Sequence, residues 1–534
     1  APIRGLIQPR FFQARRFMEM KNAFWGAILL LAFVLSMGAT SVQAKDTIRV
    51  GLRYDPSTVN MLEFKLASDI PVLMPMHTSL MGTHPETGEW VNSLAESIQI
   101  VGGKDLKIKL IETARFHNGT PVTAHDVKWT YEQCADPNNA NILAGPLDEI
   151  EEIEVIDDHN LIIRFYEAYA PWRELMWIGI CSKKYYEEMG PEKFRKNPLG
   201  AGPFRFVERK IGESVTLEVV DGYPTYQIAA YQERPPEYKR LVFVTVPDDV
   251  TRLAMLETGE LDLVYEVAPH QLKRLKRNKG VKIKISDQVP SLFGMTALPK
   301  TDPMMADRFL GQAIRHAIDR EEIVNKIFLG QGYPLFQFTS RSELGYDPNV
   351  SFDFNPEKSK AFLKQSAYKP DQVLTLTYTN MVPNAALVAA VIQKYLKDVG
   401  INTKLQRLEE GVAATYTRRR DPRLGHLRLY GWAGGRDPNT RFMLAVVSTS
   451  PYATNTDRPR KKEMDNLCRG QARETDITKR KEMIAKIHKI IAEDAVGTFL
   501  FGLNMIYAMS ADMDYTWVPN EGSPIHLQRI KVAK

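Results

Sequence analysis

The sequence predicts an α/β protein of two or three closely packed lobes. Three observations carry this. The chain has 534 residues, more than one hydrophobic core accommodates. Between Leu241 and Val264 a strand-like run, a helix-like run and a second strand-like run follow one another as a β-α-β unit. A second alternating set occupies residues 306–408, and no Gly/Ser linker, internal repeat or low-complexity tract separates the two sets.

Residues 1–44 read as a leader. Five basic residues (Arg4, Arg10, Arg15, Arg16, Lys21) stand against Glu19, a net +4, and precede the short apolar run Ala23–Met37. Val42-Gln43-Ala44 supplies small residues for cleavage before Lys45, and Met18 or Met20 is the expected start. The alternative is an uncleaved N-terminal anchor, for which the run is short. No cysteine follows it, so lipid attachment is not expected. Thr47–Arg53 alternates like a strand, and residues 86–119 and 150–166 read mostly as strands and turns. The rigid turn Pro198–Phe204 leads into a hairpin, Arg205–Glu208 with Val215–Val219. Asp248 and Asp249 cap a helix that Gly259 ends. Helices are expected near 306–328, 356–366, 384–398 and 477–493, with strands at 373–378, 401–408 and 426–431. On the last helix Ile477, Met483, Ile484, Ile487, Ile490 and Ile491 recur at helical spacing, a core-facing stripe.

Composition narrows the function. Hydrophobic residues make up 44% and charged residues 25%, a globular balance. The net charge is +6, of which the leader holds +4, leaving a body at +2. That argues against a general phosphate-binding role and against nucleic acid as a partner. Cys134, Cys181 and Cys468 make no metal motif. Cys134 and Cys181 could pair in an exported chain, or all three could be small buried hydrophobes.

The segment Arg115–Trp129, RFHNGTPVTAHDVKW, carries His117, His125 and Asp126 close together. Asn118-Gly119 is a turn signal, and Thr123 with Asp126 forms a capping box ahead of an apolar run. The turn separates the histidines and no third ligand type sits nearby, so the segment reads as scaffold. No HExxH, Walker loop, CxxC or G-x-S-x-G elbow occurs. One loop stands out, Leu429–Phe442, LYGWAGGRDPNTRF. It follows a strand, and Gly431, Gly434 and Gly435 permit close backbone approach by a ligand. Trp432 offers a flat apolar face with a donor edge, and Arg436 and Asp437 add opposite charges. The plainer reading makes Trp432 a core plug and Arg436–Asp437 a surface pair.

Five stretches in register carry a resemblance: ARFHNGTPVTAHDVKWTYE, GAGPFRFVERKIGESVTLE, RLAMLETGELDLV, ADRFLGQAIRHAIDREEIV and YGWAGGRDPNTRF. Through them the chain resembles the family 5 solute-binding proteins of ATP-binding-cassette importers, which include oligopeptide, dipeptide and nickel binders. The resemblance implies a two-lobed periplasmic-binding-protein fold, type II, in the three-region family 5 variant with two hinge crossings. Residues 45–80, 200–297 and 505–534 would form discontinuous lobe I. Residues 81–199 would be a domain attached to it, and 298–504 lobe II. The segment at 115–129 becomes a signature of the attached domain, away from the cleft.

The resemblance also marks departures. Dipeptide-type members place an acid shortly after the GW pair, where this chain has Gly434 and Gly435. They place a basic residue in the stretch matching Val382–Leu387, where this chain has alanines. The Thr of their GTGPF is Ala201. The expected ligand contacts are Tyr54 and Asp69 on lobe I, and Trp432, Arg436 and Asp437 on lobe II. A peptide or peptide-like solute is expected, handed to an inner-membrane permease with its ATPase by a periplasmic monomer that uses no cofactor or metal. The alternatives are an exported hydrolase with an α/β lobe, or a receptor or chaperone-like use of the same fold.

Overall fold

The computed structural model describes residues 45–221, 236–299, 302–450, 452–453, 458–518 and 526–533. The leader expected at 1–44 lies outside these residues. Strand β1 (Thr47–Leu52) comes first, followed by a small ribbon, β2 (Met81–Thr83) and β3 (Trp90–Asn92). Four strands then form an antiparallel sheet: β4 (Ala95–Val101), β5 (Asp105–Leu110), β6 (Ile150–Asp157) and β7 (Asn160–Phe165), in the order β4-β5-β7-β6. The hairpin β8 (Phe204–Lys210) and β9 (Ser214–Val219) precedes β10 (Arg240–Thr245), β11 (Leu263–Val264) and β12 (Val281–Ser286). Next come β13 (Ser291–Ala297), β14 (Gly332–Pro334), β15 (Leu374–Tyr378), β16 (Thr403–Arg407), β17 (Leu427–Ala433), β18 (Thr498–Leu503) and β19 (Met505–Ser510).

Two large sheets result. The first has the order β12-β19-β11-β1-β10-β9-β8, the second β14-β18-β13-β17-β15-β16. The β-α-β unit read at 241–264 takes an open form. Strands β10 and β11 both run parallel to β1, one on each side, so β1 lies between them. The chain passes from the first sheet to the second through residues 287–290 and returns through Asn504 alone.

Period-two alternation puts the second sheet between two apolar layers. Leu427 and Leu429 of β17 join a cluster with Leu376, Val388, Ile392 and Leu396, whereas Tyr430 and Trp432 join one with Leu292, Phe338, Phe442 and Ile487. The helix Ile477–Glu493 supplies Ile484, Ile487, Ile490 and Ile491 to that second cluster. Ile477 is 53% exposed and falls outside the stripe, because it opens the first turn just after the Asp476 cap. Buried Arg315 closes the helix's far end by donating to the carbonyls of Ile491 and Ala492, which lack intrahelical donors there, and to Gly497 O just beyond it.

The segment 115–129 is scaffold by its bonds. Gly119 has φ +83° in the turn, and Thr123 and Asp126 form the capping box of the helix Ala124–Ala135. Asp126 also accepts from the Lys183 amide at 2.9 Å. His117 stitches the turn to the GAGPF stretch. Its Nε2 lies 2.9 Å from the Gly202 carbonyl, and its amide donates to Gly200 O at 3.0 Å. Cys134, Cys181 and Cys468 are free and buried, so the disulfide considered for Cys134 and Cys181 is not formed. Burial pushes the Cys134 thiol up to about 12, as expected for a small hydrophobe.

Burial holds the imidazoles of His77, His117, His488 and His526 down at about 4, against 6.5 for a free histidine. The unfolded chain therefore binds more protons than the folded one between those values. Stability should be flat above pH 6.5 and fall as pH drops toward 4, by at most about 3 kcal/mol per imidazole. Urea unfolding at pH 7.5, 5.5 and 4.5 measures this, and His117→Gln should flatten the decline.

Candidate functional site

The ends of the parallel strands position the candidate residues. Trp432 stands at the C-terminal end of β17, beside β15, to which β17 is parallel. Its ring is half-buried, resting on the cluster that contains Leu292, its partner across the ladder on β13. Gly431 brings the backbone against Phe293 and within reach of Met381, itself 43% exposed. Tyr54 follows β1 on the first sheet and is 56% exposed, with the Arg53 guanidinium 5.7 Å from its ring centre. Trp432 and Tyr54 thus each end a strand with aromatic surface still open, where α/β sheets receive ligands.

The loop after Trp432 directs its charges into the protein. Asp437 forms a two-pronged ion pair with Arg480, Oδ2–Nη1 2.6 Å and Oδ1–Nη2 2.7 Å, and Arg480 is only 4% exposed. Arg480 also donates to Gln471, Gln471 to Asn439, and the Asn439 amide returns to Asp437 Oδ1 at 3.0 Å. Asn439 Nδ2 reaches the Tyr169 hydroxyl at 3.3 Å. The acid that the sequence offers to a ligand is therefore taken by Arg480, 43 residues further along. Behind the loop, buried Arg441 pairs with buried Glu343 at 2.7 Å.

Arg436 is half-buried, and desolvation holds its guanidinium below the ordinary arginine value, with Glu174 and Glu89 opposing. It lies against Gly88, where an added Cβ would fall 2.0 Å from Nη2. Glu174, on the short helix Trp172–Leu175, occupies the space beside Gly435. A Cβ on Gly435 would meet Glu174 Oε2 at 2.1 Å, and the Asp437 amide donates to Glu174 Oε1 at 3.2 Å. The glycine leaves this space to the Glu174 carboxylate, which a side chain at 435 would displace. Glu174 and Arg480 carry no local motif, and nothing in the sequence marks either.

Asp69, expected on lobe I as a ligand contact, lies inside the protein. It is fully buried, and its oxygens accept from the Ser57 amide (2.6 Å) and hydroxyl (2.8 Å) and from the Leu66 amide (3.1 Å). These bonds staple the loop after β1. Among the described residues no three His, Cys, Asp or Glu side chains gather as metal ligands.

The Asp437–Arg480 pair gives a stability test. Asp437→Asn strands the buried Arg480 charge and should cost about 3 kcal/mol in urea unfolding. Adding Arg480→Met should recover part of the loss, because neither charge is then left alone. A double variant as damaged as the two single losses combined would contradict the pairing.

The chain is 24% identical over 447 residues to the oligopeptide-binding protein AppA of Bacillus subtilis, covering 79% of this chain and 80% of that protein. It is 24% identical over 516 residues to the probable D,D-dipeptide-binding periplasmic protein DdpA of Escherichia coli, covering 92% and 96%. Among solved structures, the ABC transporter substrate-binding protein CtaP of Listeria monocytogenes superimposes with a TM-score of 0.80 at 22% identity, covering 92% of this chain and all of that one. AppA in complex with a nonapeptide superimposes with a TM-score of 0.76 at 22% identity, again over 92% and 100%. The two-sheet α/β architecture with its two crossings is thus shared with periplasmic binding proteins. The family model for bacterial extracellular solute-binding proteins, family 5, matches residues 89–454, more than half of the sequence, and the chain belongs to that family.

Proposed function

We propose that this protein is the periplasmic solute-binding component of an importer driven by an ATP-binding cassette. It closes two lobes around a peptide or peptide-like solute and hands it to an inner-membrane permease. Lobe I would comprise residues 45–80, 200–297 and 505–534, with 81–199 attached, and lobe II residues 298–504. Ligand closure in such folds is a hinge motion selected by differential affinity for the closed state. Residues 1–44 would direct export and be removed without lipid attachment, and the mature chain would act as a monomer without catalysis.

One observation carries this reading. Trp432 has one part of its ring against the core and the remainder open at the C-terminal end of a parallel strand. Relatives at similar distance bear the names of oligopeptide, dipeptide and glutathione binders, which supports a peptide-like solute. Trp432 and Tyr54 would grip the solute through aromatic faces, with Arg436 at the rim. Asp437 would serve by holding the loop, and Asp69 by holding the turn that presents Tyr54.

Native mass spectrometry of the purified mature chain, followed by thermal shift with oligopeptides, tests this. A peptide at 100 times its dissociation constant should add about 2.7 kcal/mol of stability. Trp432→Ala should abolish that gain and lower the unliganded stability by only about 1–2 kcal/mol, less than the 3–5 kcal/mol of a fully buried ring. Wild-type protein that no peptide stabilises, or that cleaves the bound peptide, would contradict the reading.

A further inference from the structure

Glu266 sits just past β11, which lies beside β1 in parallel register, Val50 opposite Leu263 and Gly51 opposite Val264. It therefore shares an edge of the first sheet with Arg53 and Tyr54. Its φ is +59°. Of the seven described non-glycine residues with positive φ, the other six flank a helix end, where a left-handed residue closes or opens the turn. Glu266 follows a strand and has no such local use. A left-handed acid is disfavoured for its Cβ, and such backbone outliers gather at functional sites.

The side chain is equally unsettled. It is exposed to solvent, yet desolvation by surrounding protein is the largest influence on its carboxyl and pushes it above the ordinary value. Its exposed carboxylate stands past the end of β11, on the sheet edge that also carries the exposed Tyr54 ring. Among the described residues its carboxylate accepts no hydrogen bond and has no ion-pair partner. Arg53 and Arg252 lie near enough to favour its charged form, but both are engaged with Asp249, at 3.8 Å and 2.5 Å. Arg252 donates further to the Val246 carbonyl at 2.6 Å. A carboxylate without a partner in the protein, beside an open aromatic ring, is placed to receive a cation.

We infer that Glu266 is a specificity-determining residue of the solute site, and that it receives a cationic group of the solute, a primary ammonium or a guanidinium, beside the open Tyr54 ring. The inference rests on the solute-binding reading above and narrows it to solutes that carry a positive charge. The carboxylate supplies a charge-assisted hydrogen bond, and the aromatic face a second attraction for the cation.

The test compares matched peptides by calorimetry on the full exported chain. One pair is Lys-Ala-Ala against norleucine-Ala-Ala, differing in a side-chain ammonium. The other is Ala-Ala-Ala against its N-acetyl form, differing in the terminal ammonium. Wild-type protein should prefer the charged member of at least one pair by about tenfold or more. Glu266→Gln should erase that preference while binding the uncharged member as before. Glu266→Asn, a residue that adopts the left-handed region readily, should do the same with an unchanged melting temperature. Peptide binding without charge preference in wild type, or preference surviving in both variants, overturns the role of Glu266 and leaves the solute-binding reading standing. No binding of any of the four peptides overturns both.

Discussion

Two short covalent passages, residues 287–290 and Asn504, constrain everything else in this molecule. Each joins the end of a strand in one sheet to the start of a strand in the other, with no room for an independent linker. The two sheets can therefore differ in relative orientation only through a few backbone torsions. Hinges of this kind absorb large changes in few residues. Both passages lie next to strands that run through the middle of apolar layers, β13 and β18 on one side and β19 on the other. A rotation there would move each sheet and its covering helices as a unit, because close-packed layers do not deform continuously.

The edge of the second sheet shows how such a unit presents a loop without letting it drift. The segment 434–441 carries three charges, and two are spent inward: Asp437 on Arg480 and Arg441 on Glu343. The Asn439–Gln471 and Asp437–Arg480 links tie the loop to the helices Lys461–Arg473 and Ile477–Glu493. What stays uncommitted is the aromatic surface of Trp432. Other contacts join the same part of the chain to residues 149–174. Ala170 donates to the Ala472 carbonyl at 2.8 Å, and Arg473 pairs with Glu149 at 2.6 Å and Glu167 at 2.9 Å. With Glu174 against Gly435, these bonds line up along one seam. Solvent-exposed ion pairs of this sort contribute little singly, so the seam is held as much by the backbone bond and the tight Gly435 contact as by charge.

Much of the architecture was legible because its causes are local. The capping box at Thr123 and Asp126, the αL cap at Gly259 and the helix Ile477–Glu493 follow from residues within a few positions of one another. The strand expected at 426–431 is β17, Leu427–Ala433. The resemblance carried by five stretches supplied the two-sheet plan that local periodicity could not, since neither β10 nor β11 announces that β1 lies between them. The disulfide considered for Cys134 and Cys181 also depended on spatial facts, and both thiols are free.

The candidate site was legible only in part. An aromatic residue after a strand and a run of glycines are sequence features, and Trp432 and Tyr54 could be named from them. Which charges face a solute could not. Asp69 and Asp437 have the composition of ligand contacts, yet Ser57 and Arg480 claim them. Glu174 and Glu266 have no motif at all. From the sequence alone came most helix caps and strand positions, because capping, turn chemistry and hydrophobic period act over a few residues; the helix expected near 306–328 is instead broken at extended Ile318. Only the tertiary structure decided which carboxylates are neutralised within the protein, because an ion pair depends on distance in space, and folding brings together partners 43 or 98 residues apart.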